Sequence, residues 1–125
     1  MARSHCLKRE VFFVFTVSLA WFLWHMAPSL TVGDAGEFIA ASSILGVAHS
    51  PGYPLPLLLG KLALTLFPGS PAYRINFLSA LAGAGCFVLC WLIWRRNLRL
   101  PAWAAYPAMA LLMLEPHFLT VNTET

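Results

Sequence analysis

Two carboxylates and an imidazole lie close together in an otherwise apolar sequence. Asp34 and Glu37 are three residues apart in the stretch GDAGEFIAASSILGVAHSPGYPL, and His49 follows in the same stretch. Residues three apart share one face of a helical turn, so both carboxylates can act at one point. A carboxylate there can take a proton as a general base or bind a ligand. It can equally cap a helix, where it contributes about 0.3–1 kcal/mol, and the residues alone leave both roles open.

Other side chains extend this candidate site. His49 precedes the Pro-Gly-Tyr-Pro turn at 51–54, and it is either a turn residue or a polar group for a phosphate or a sugar. Tyr53 is either an aromatic anchor at the membrane interface or part of an apolar bed for a lipid chain. Arg74 is either a helix-end residue or a phosphate clamp, for which a guanidinium fork is well suited. Glu115 and His117 are either a polar helix end or part of the same site.

The composition indicates an integral membrane protein. Of the 125 residues, 59% are hydrophobic and 10% charged, with a mean hydropathy of +0.72. A soluble domain carries about a quarter charged residues. The basic residues stand at the ends of apolar segments, where they set topology. Nucleic-acid binding would need a basic face on a soluble module, so we expect no nucleic-acid partner.

The cysteines predict neither a disulfide framework nor a metal site. Cys86 and Cys90 are four apart on one face of an apolar helix, where free cysteine behaves as a small hydrophobe. Cys6 lies in the basic N-terminal tail, and acylation is the alternative to a structural role. No CxxC or Cys/His spacing typical of a metal site occurs.

Three apolar segments are candidate membrane spans, at about 11–30, 76–94 and 101–119. About 20 helical residues cross the roughly 30 Å of bilayer hydrocarbon. The first segment follows a basic tail but is long for a signal peptide, and no A-x-A-like site follows it, so we predict an uncleaved anchor. The small residues at 79–85 would let another helix approach the second span closely. Pro107 interrupts the third.

A fourth apolar segment, 55–67, is too short to cross, and Lys61 at its centre is predicted to snorkel. If it crossed, the basic N-terminal cluster and the 95–99 cluster would lie on opposite sides of the membrane. The positive-inside tendency prefers both on the cytoplasmic side. We therefore predict an interfacial or re-entrant helix here, a cytoplasmic N-terminus and a non-cytoplasmic loop at 31–75.

The predicted loop has internal order of its own. Its apolar residues predict a short amphipathic helix that Asp34 caps and Gly46 ends. The turn at 51–54 then leads into the apolar helix at 55–67.

The loop sequence resembles the N-terminal region of the membrane O-mannosyltransferase-like family, which is found in bacteria and animals and was formerly a domain of unknown function. The family pattern reads roughly D-x-G-E-F-x-x-A-x-x-x-L-G-x-x-H-P-P-G-Y-P-L, then an aromatic, L-L-G, and later W-R-x-N-L-L-S-A. The chain departs from it at Ser50, Pro56 and Tyr73, and no departure removes an ionisable group. The matching residues are Asp34, Gly36, Glu37, Phe38, Ala41, Leu45, Gly46, His49, Pro51, Gly52, Tyr53, Pro54, Leu55, Arg74, Asn76, Leu78, Ser79 and Ala80.

The resemblance implies an all-α GT-C fold, a multi-span membrane glycosyltransferase whose first non-cytoplasmic loop bears short juxtamembrane helices. It implies that Asp34 is the catalytic acid–base residue and that Glu37 supports it or contacts the acceptor. The donor would be a polyprenyl- or dolichyl-phosphate sugar, with mannose expected, and the acceptor a protein hydroxyl. His49 and Arg74 are candidates for the phosphate, and Glu124 for the start of a second glutamate motif.

Several consequences of the resemblance concern the chain as a whole. A single displacement would invert the anomeric centre. No cofactor is expected, although a divalent cation bridging Asp34 and the phosphate is left open. The expected location is the bacterial inner membrane or the endoplasmic reticulum. Since the family has many spans, residues 1–125 are expected to form the N-terminal part of a longer enzyme. Alone, this part is expected to bind substrate without turning it over.

Two other functions fit the same residues. One is a non-catalytic membrane module that binds or transports a lipid-linked sugar. The other is a small structural membrane protein in which the two carboxylates only cap a helix.

Overall fold

The computed structural model describes residues 2–26, 35–48 and 53–116. These ranges are mostly helical, and no strand occurs within them. The elements are α1 (Ala2–His25), α2 (Ala35–Ile44), α3 (Pro54–Leu66), α4 (Pro71–Leu92), a π-turn (Ile93–Asn97) and α5 (Ala102–Met113). The prediction of an all-α fold is confirmed.

One helix in the described ranges is long and apolar enough to cross a membrane. It consists of α4 and the π-turn together, covers Pro71–Asn97 and is 27 residues long. It contains the predicted span at 76–94. The described part of the predicted span at 11–30 ends at residue 26, and α5 has 12 residues. These two spans therefore stay predictions.

The small residues of α4 lie against α1, as the sequence predicts. Ala80 and Ala84 are fully buried in one core with Val14, Phe22 and Phe87. The Phe22 and Phe87 rings meet edge to face, with their centroids 5.6 Å apart. Small side chains on one helix let the aromatic rings of its neighbour approach closely.

Two other small residues of that run, Ala82 and Gly85, do not pack against α1, because they lie on other faces of the helix. Ala82 is exposed, and a Cβ added to Gly85 would meet nothing within 4 Å. The contact therefore follows a spacing of three to four residues along α4, as expected for one helical face.

Helix α5 contacts α1 at two points. The Trp21 indole Nε1 donates to the Met113 carbonyl over 3.2 Å, and the Phe13 and Tyr106 rings meet edge to face at 6.1 Å. Pro107 lies inside the helix without interrupting it, and the helix ends at Met113, before Glu115.

An ion pair fastens α1 to the end of α4. Arg95 donates through Nε to Glu10 Oε2 over 2.9 Å and through Nη2 to Glu10 Oε1 over 3.0 Å. Its Nη1 also donates to the Leu100 carbonyl over 2.6 Å. The Arg95 hydrogen bonds hold the pKa of Glu10 below its usual value of 4.5, although partial burial opposes the shift. Two parallel bonds to one carboxylate are the strongest common form of this pair.

Helix α4 ends in a π-turn that carries two arginines. The turn closes with an i to i−5 bond, in which Leu98 N donates to the Ile93 carbonyl over 3.0 Å. Such a wide turn adds one residue to the helical register. Within it, Arg95 faces Glu10, whereas Arg96 is exposed.

Candidate functional site

The predicted external loop is built on α2 and α3, which contact each other and the first part of α4. Phe38 and Ala41 of α2 form a small apolar core with Ala48 and with Leu57 of α3. Helices α2 and α3 therefore pack as a unit rather than as separate segments, and their place in a non-cytoplasmic loop stays a prediction.

Helices α2 and α3 approach each other closely at Ser42 and Gly60. A Cβ added to Gly60 would lie 2.5 Å from Ser42 Oγ and 3.1 Å from Ser42 Cβ. Ser42 is fully buried, and among the described residues its hydroxyl has no hydrogen-bond partner. A larger residue at position 60 therefore fits only if the Ser42 side chain or one of the two helices moves.

Gly60→Ala is expected to destabilise the full-length protein by about 1–3 kcal/mol, the usual cost of overpacking. Gly85→Ala is the matched control, since it is also a mid-helix glycine but faces open space. It should be neutral or gain up to about 1 kcal/mol of helix propensity. Thermal or denaturant unfolding in detergent measures both. Ser42→Ala, which removes the tightest contact, should partly rescue Gly60→Ala; equal stability of the two alanine variants would contradict the close contact.

The end of α2 departs from the sequence prediction in one detail. Gly46 was expected to end the helix, but the left-handed residue is Leu45, with φ 53°. Gly46 N donates to the Ala41 carbonyl over 2.8 Å, which is the bond of a Schellman ending. Glycine normally occupies the left-handed position, and Leu45 adopts it because the bond to Ala41 and the packing of Ala48 fix the chain path.

Lys61 has a specific partner that the sequence analysis did not identify. Its ammonium donates to the Ser43 carbonyl in the last turn of α2. Carbonyls there lack an intrahelical partner and carry the negative end of the helix dipole, so a cation is favourable. Lys61 therefore fixes α3 to the end of α2.

Asp34 and Glu37 are the two predicted catalytic carboxylates, and the structure describes only Glu37. Glu37 is exposed in the first turn of α2. Asp34 directly precedes Ala35, the first residue of that helix, and itself lies outside the described residues, as do His49, His117 and Glu124. Within the described ranges, no three His, Cys, Asp or Glu residues are grouped as metal ligands would be.

Tyr53 stands immediately before α3 in an unusual backbone conformation. Its φ and ψ are 39° and 58°, in the left-handed region, which costs a non-glycine residue roughly 1–2 kcal/mol. Its carbonyl accepts from Leu57 N over 3.1 Å, and its side chain is 44% exposed. A strained, exposed aromatic residue at a helix start is a reason to test it for function.

Arg74 is a half-buried residue at the start of α4 that closes the corner between α3 and α4. Its Nε donates to the Gly69 carbonyl over 2.8 Å, and its Nη1 donates to the Leu64 carbonyl. Ser70 Oγ caps α4 at the same corner by accepting from Tyr73 N over 3.2 Å. The helix-end role that the sequence left open is therefore present; the phosphate role stays a prediction.

Residues 34–113 match the family described as the Protein O-mannosyl-transferase TMEM260 N-terminal domain. The chain belongs to this family. The matched region begins at Asp34 and includes Glu37, His49, Tyr53 and Arg74, so the resemblance seen in the loop sequence is confirmed. Helix α1 and Glu124 lie outside it.

Two relatives illustrate the similarity. The chain is 52% identical over 83 residues to the protein O-mannosyl-transferase TMEM260 of Mus musculus. The aligned region covers 66% of the chain and 12% of the relative. It is 38% identical over 76 residues to the protein O-mannosyl-transferase tmem260 of Dictyostelium discoideum, covering 56% of the chain and 9% of the relative. The aligned region thus spans about a tenth of these relatives. No solved structure matches the chain.

Proposed function

We propose that the chain is the N-terminal part of a membrane-embedded glycosyltransferase that moves mannose from a polyprenyl- or dolichyl-phosphate donor to a protein hydroxyl. The observation that carries the proposal is the family match at 34–113, together with relatives named protein O-mannosyl-transferase. Within that region the sequence contains two carboxylates, Asp34 directly before α2 and Glu37 in its first turn. Glu115 lies just beyond the region.

The chemistry asked of Asp34 is general-base catalysis. A serine or threonine hydroxyl is a poor nucleophile, so a carboxylate should take its proton as its oxygen bonds to the anomeric carbon. The bond from that carbon to the donor phosphate breaks, and the lipid phosphate leaves with the electron pair. This single displacement inverts the anomeric centre. Glu37, one turn further along α2, supports Asp34 or contacts the acceptor.

The leaving phosphate needs positive charge, for which His49 and Arg74 are the candidates, and the lipid chain needs an apolar surface. Helix α3 offers such a surface. Its buried face consists of Leu57, Gly60 and Ala63. The opposite face exposes a stripe of leucines, namely Leu55, Leu58, Leu59, Leu62 and Leu66. With Tyr53 at its start, this stripe supports α3 as an interfacial helix that lies beside the donor lipid.

The proposed topology has three spans, with the N-terminus in the cytoplasm and α2 and α3 on the opposite side. Support comes from the 13-residue length of α3, which is too short to cross. It also comes from the position of Arg95 and Arg96 at the same end of the bundle as Glu10. The site would then face the lumen of the endoplasmic reticulum or the bacterial periplasm.

Cysteine labelling tests this topology in the full-length protein after Cys6, Cys86 and Cys90 are replaced. Cysteines at Ser43 and Ser70, which are both exposed, should react with a membrane-impermeant thiol reagent from outside the cytoplasm. A cysteine at the exposed Asn97 should react only after the membrane is permeabilised. Labelling of Ser43 and Ser70 from opposite sides would mean that α3 crosses.

The direct test of the function is mannosyl transfer by the purified full-length protein. Radiolabelled polyprenyl-phosphate mannose and a serine- and threonine-rich acceptor peptide are supplied together, and label in the peptide is measured. We expect transfer that depends on both the lipid phosphate and the protein. Donor binding without transfer would favour a module that binds or transports the lipid-linked sugar.

A further inference from the structure

A groove of about 640 Å³ lies between α1 and α4 at the end of the bundle that bears Glu10 and Arg95. Phe12 on its rim is 73% exposed, so the groove opens on the outer surface of the helix pair. Its walls are almost entirely apolar, formed by Leu7, Val11, Phe12, Phe15, Val88 and Leu92. From Leu7 to Phe15 it extends about 12 Å along α1.

Two cations line the same groove. Lys8 reaches it from α1 and Arg96 from the π-turn, and both are exposed. No ion pair or hydrogen bond joins either side chain to a residue that the structure describes. The nearby carboxylate, Glu10, is already paired with Arg95. The mouth of the groove therefore carries uncompensated positive charge, while its floor is apolar.

We propose that this groove binds an anionic phospholipid. One acyl chain would lie along the apolar walls, and the headgroup phosphate would accept hydrogen bonds from Lys8 and Arg96. Charge complementarity selects this occupant. An apolar helix would leave two cations unpaired at the edge of hydrocarbon, and a zwitterionic lipid brings a cation of its own, so the positive charge of the site would stay uncompensated. The inference rests on the membrane insertion proposed above but not on the transferase activity, and the groove is separate from the α2–α3 site.

The two arginines of the π-turn have different partners. Arg95 donates to Glu10 and to the Leu100 carbonyl, whereas Arg96 lines the groove. Consecutive residues of a helix point about 100° apart, so both contacts can be made at once. Arg95 is thus a positioning residue for this end of the bundle, and Arg96 meets the lipid.

Lipid retention by the purified full-length protein tests the proposal. Native mass spectrometry compares bound phosphatidylglycerol with bound phosphatidylcholine, after incubation with equal amounts of each. Lys8→Gln with Arg96→Gln should lower the apparent affinity for phosphatidylglycerol by about ten-fold or more, since the loss of even one charge-assisted contact is on this scale. Both side chains are exposed, so their replacement leaves the core intact.

The matched control is Arg9→Gln with Arg99→Gln. It removes the same net charge from the same end, but neither residue lines the groove; they line neighbouring cavities instead. This control should change phosphatidylglycerol affinity less than two-fold. Equal losses in the two double variants would overturn the proposal in favour of a diffuse surface charge.

Two further outcomes also overturn it. No preference for phosphatidylglycerol in the wild-type protein would mean that a neutral lipid or another helix of the longer relatives covers the groove. Displacement of the lipid by millimolar glycerol 3-phosphate would mean that a soluble phosphate, rather than a phospholipid, is the ligand.

Discussion

Asp34→Asn is expected to lower mannosyl transfer by the full-length protein by about two to four orders of magnitude, the range for loss of a general base. Asparagine keeps the size of the side chain and caps helices as well as aspartate does. The helix that begins at Ala35 should therefore survive, and expression and thermal stability should hold. Affinity for the lipid-linked donor should change little, because the variant removes the base and leaves the phosphate contacts in place.

Glu37→Gln is the matched control for this variant. Glu37 is exposed on the same helix, one turn away, so its replacement also removes one negative charge without disturbing a core. A supporting role predicts a loss of about ten-fold, the value of one hydrogen bond to a charged group. If Asp34→Asn transfers mannose at a near-normal rate, Asp34 is only a helix cap. Equal, large losses of transfer rate in both variants would mean that the two carboxylates act together in the same catalytic step.

The local features of the fold could be predicted because they depend on neighbouring residues. The proline-bounded segment 55–67 predicted a short apolar helix, and α3 occupies Pro54–Leu66. The run of small residues predicted a close helix contact, and Ala80 and Ala84 make it. Both signals are a matter of composition and period within about 15 residues.

The contacts that join distant parts of the chain could not be predicted. Glu10 and Arg95 are separated by 85 residues along the chain, and their pairing depends on how α1 crosses α4 and on the π-turn. Lys61 finds the Ser43 carbonyl, and Gly60 meets Ser42, only once α2 and α3 are docked. A glycine in the middle of the apolar segment was the one available signal for that close approach. The catalytic assignment of Asp34 depends on the family pattern and stays a prediction.

Arg74→Ala is expected to weaken donor binding by roughly ten- to a hundred-fold, since charge-assisted contacts contribute about 1.5–3 kcal/mol each. The structure adds a second consequence. The guanidinium donates to the Leu64 and Gly69 carbonyls, so the alanine variant also leaves two acceptors at the α3–α4 corner without their donor. A drop in thermal stability should accompany the loss of affinity. Arg74→Lys should recover only part of either property, because an ammonium does not reproduce a planar fork.

Comparing two lipids separates phosphate binding from support of the corner. Polyprenyl phosphate and the corresponding polyprenol share the apolar chain and differ in the charge. If Arg74 contacts the phosphate, Arg74→Ala should lose ten-fold or more affinity for polyprenyl phosphate and little for polyprenol. If Arg74 only positions α3 beside α4, the leucine stripe is displaced and both lipids should bind more weakly by the same factor.

Lys61→Ala is the matched control for that comparison. It removes one positive charge and one cation-to-carbonyl bond from the same helix unit, at the Ser43 carbonyl instead of the α3–α4 corner. It should lower stability, by less than Arg74→Ala because one bond is lost instead of two, and without a preference between the two lipids. A selective loss of polyprenyl phosphate in Arg74→Ala but not in Lys61→Ala would assign Arg74 to the donor phosphate. Parallel losses in both variants would restrict Arg74 to the corner and leave His49 as the candidate phosphate ligand.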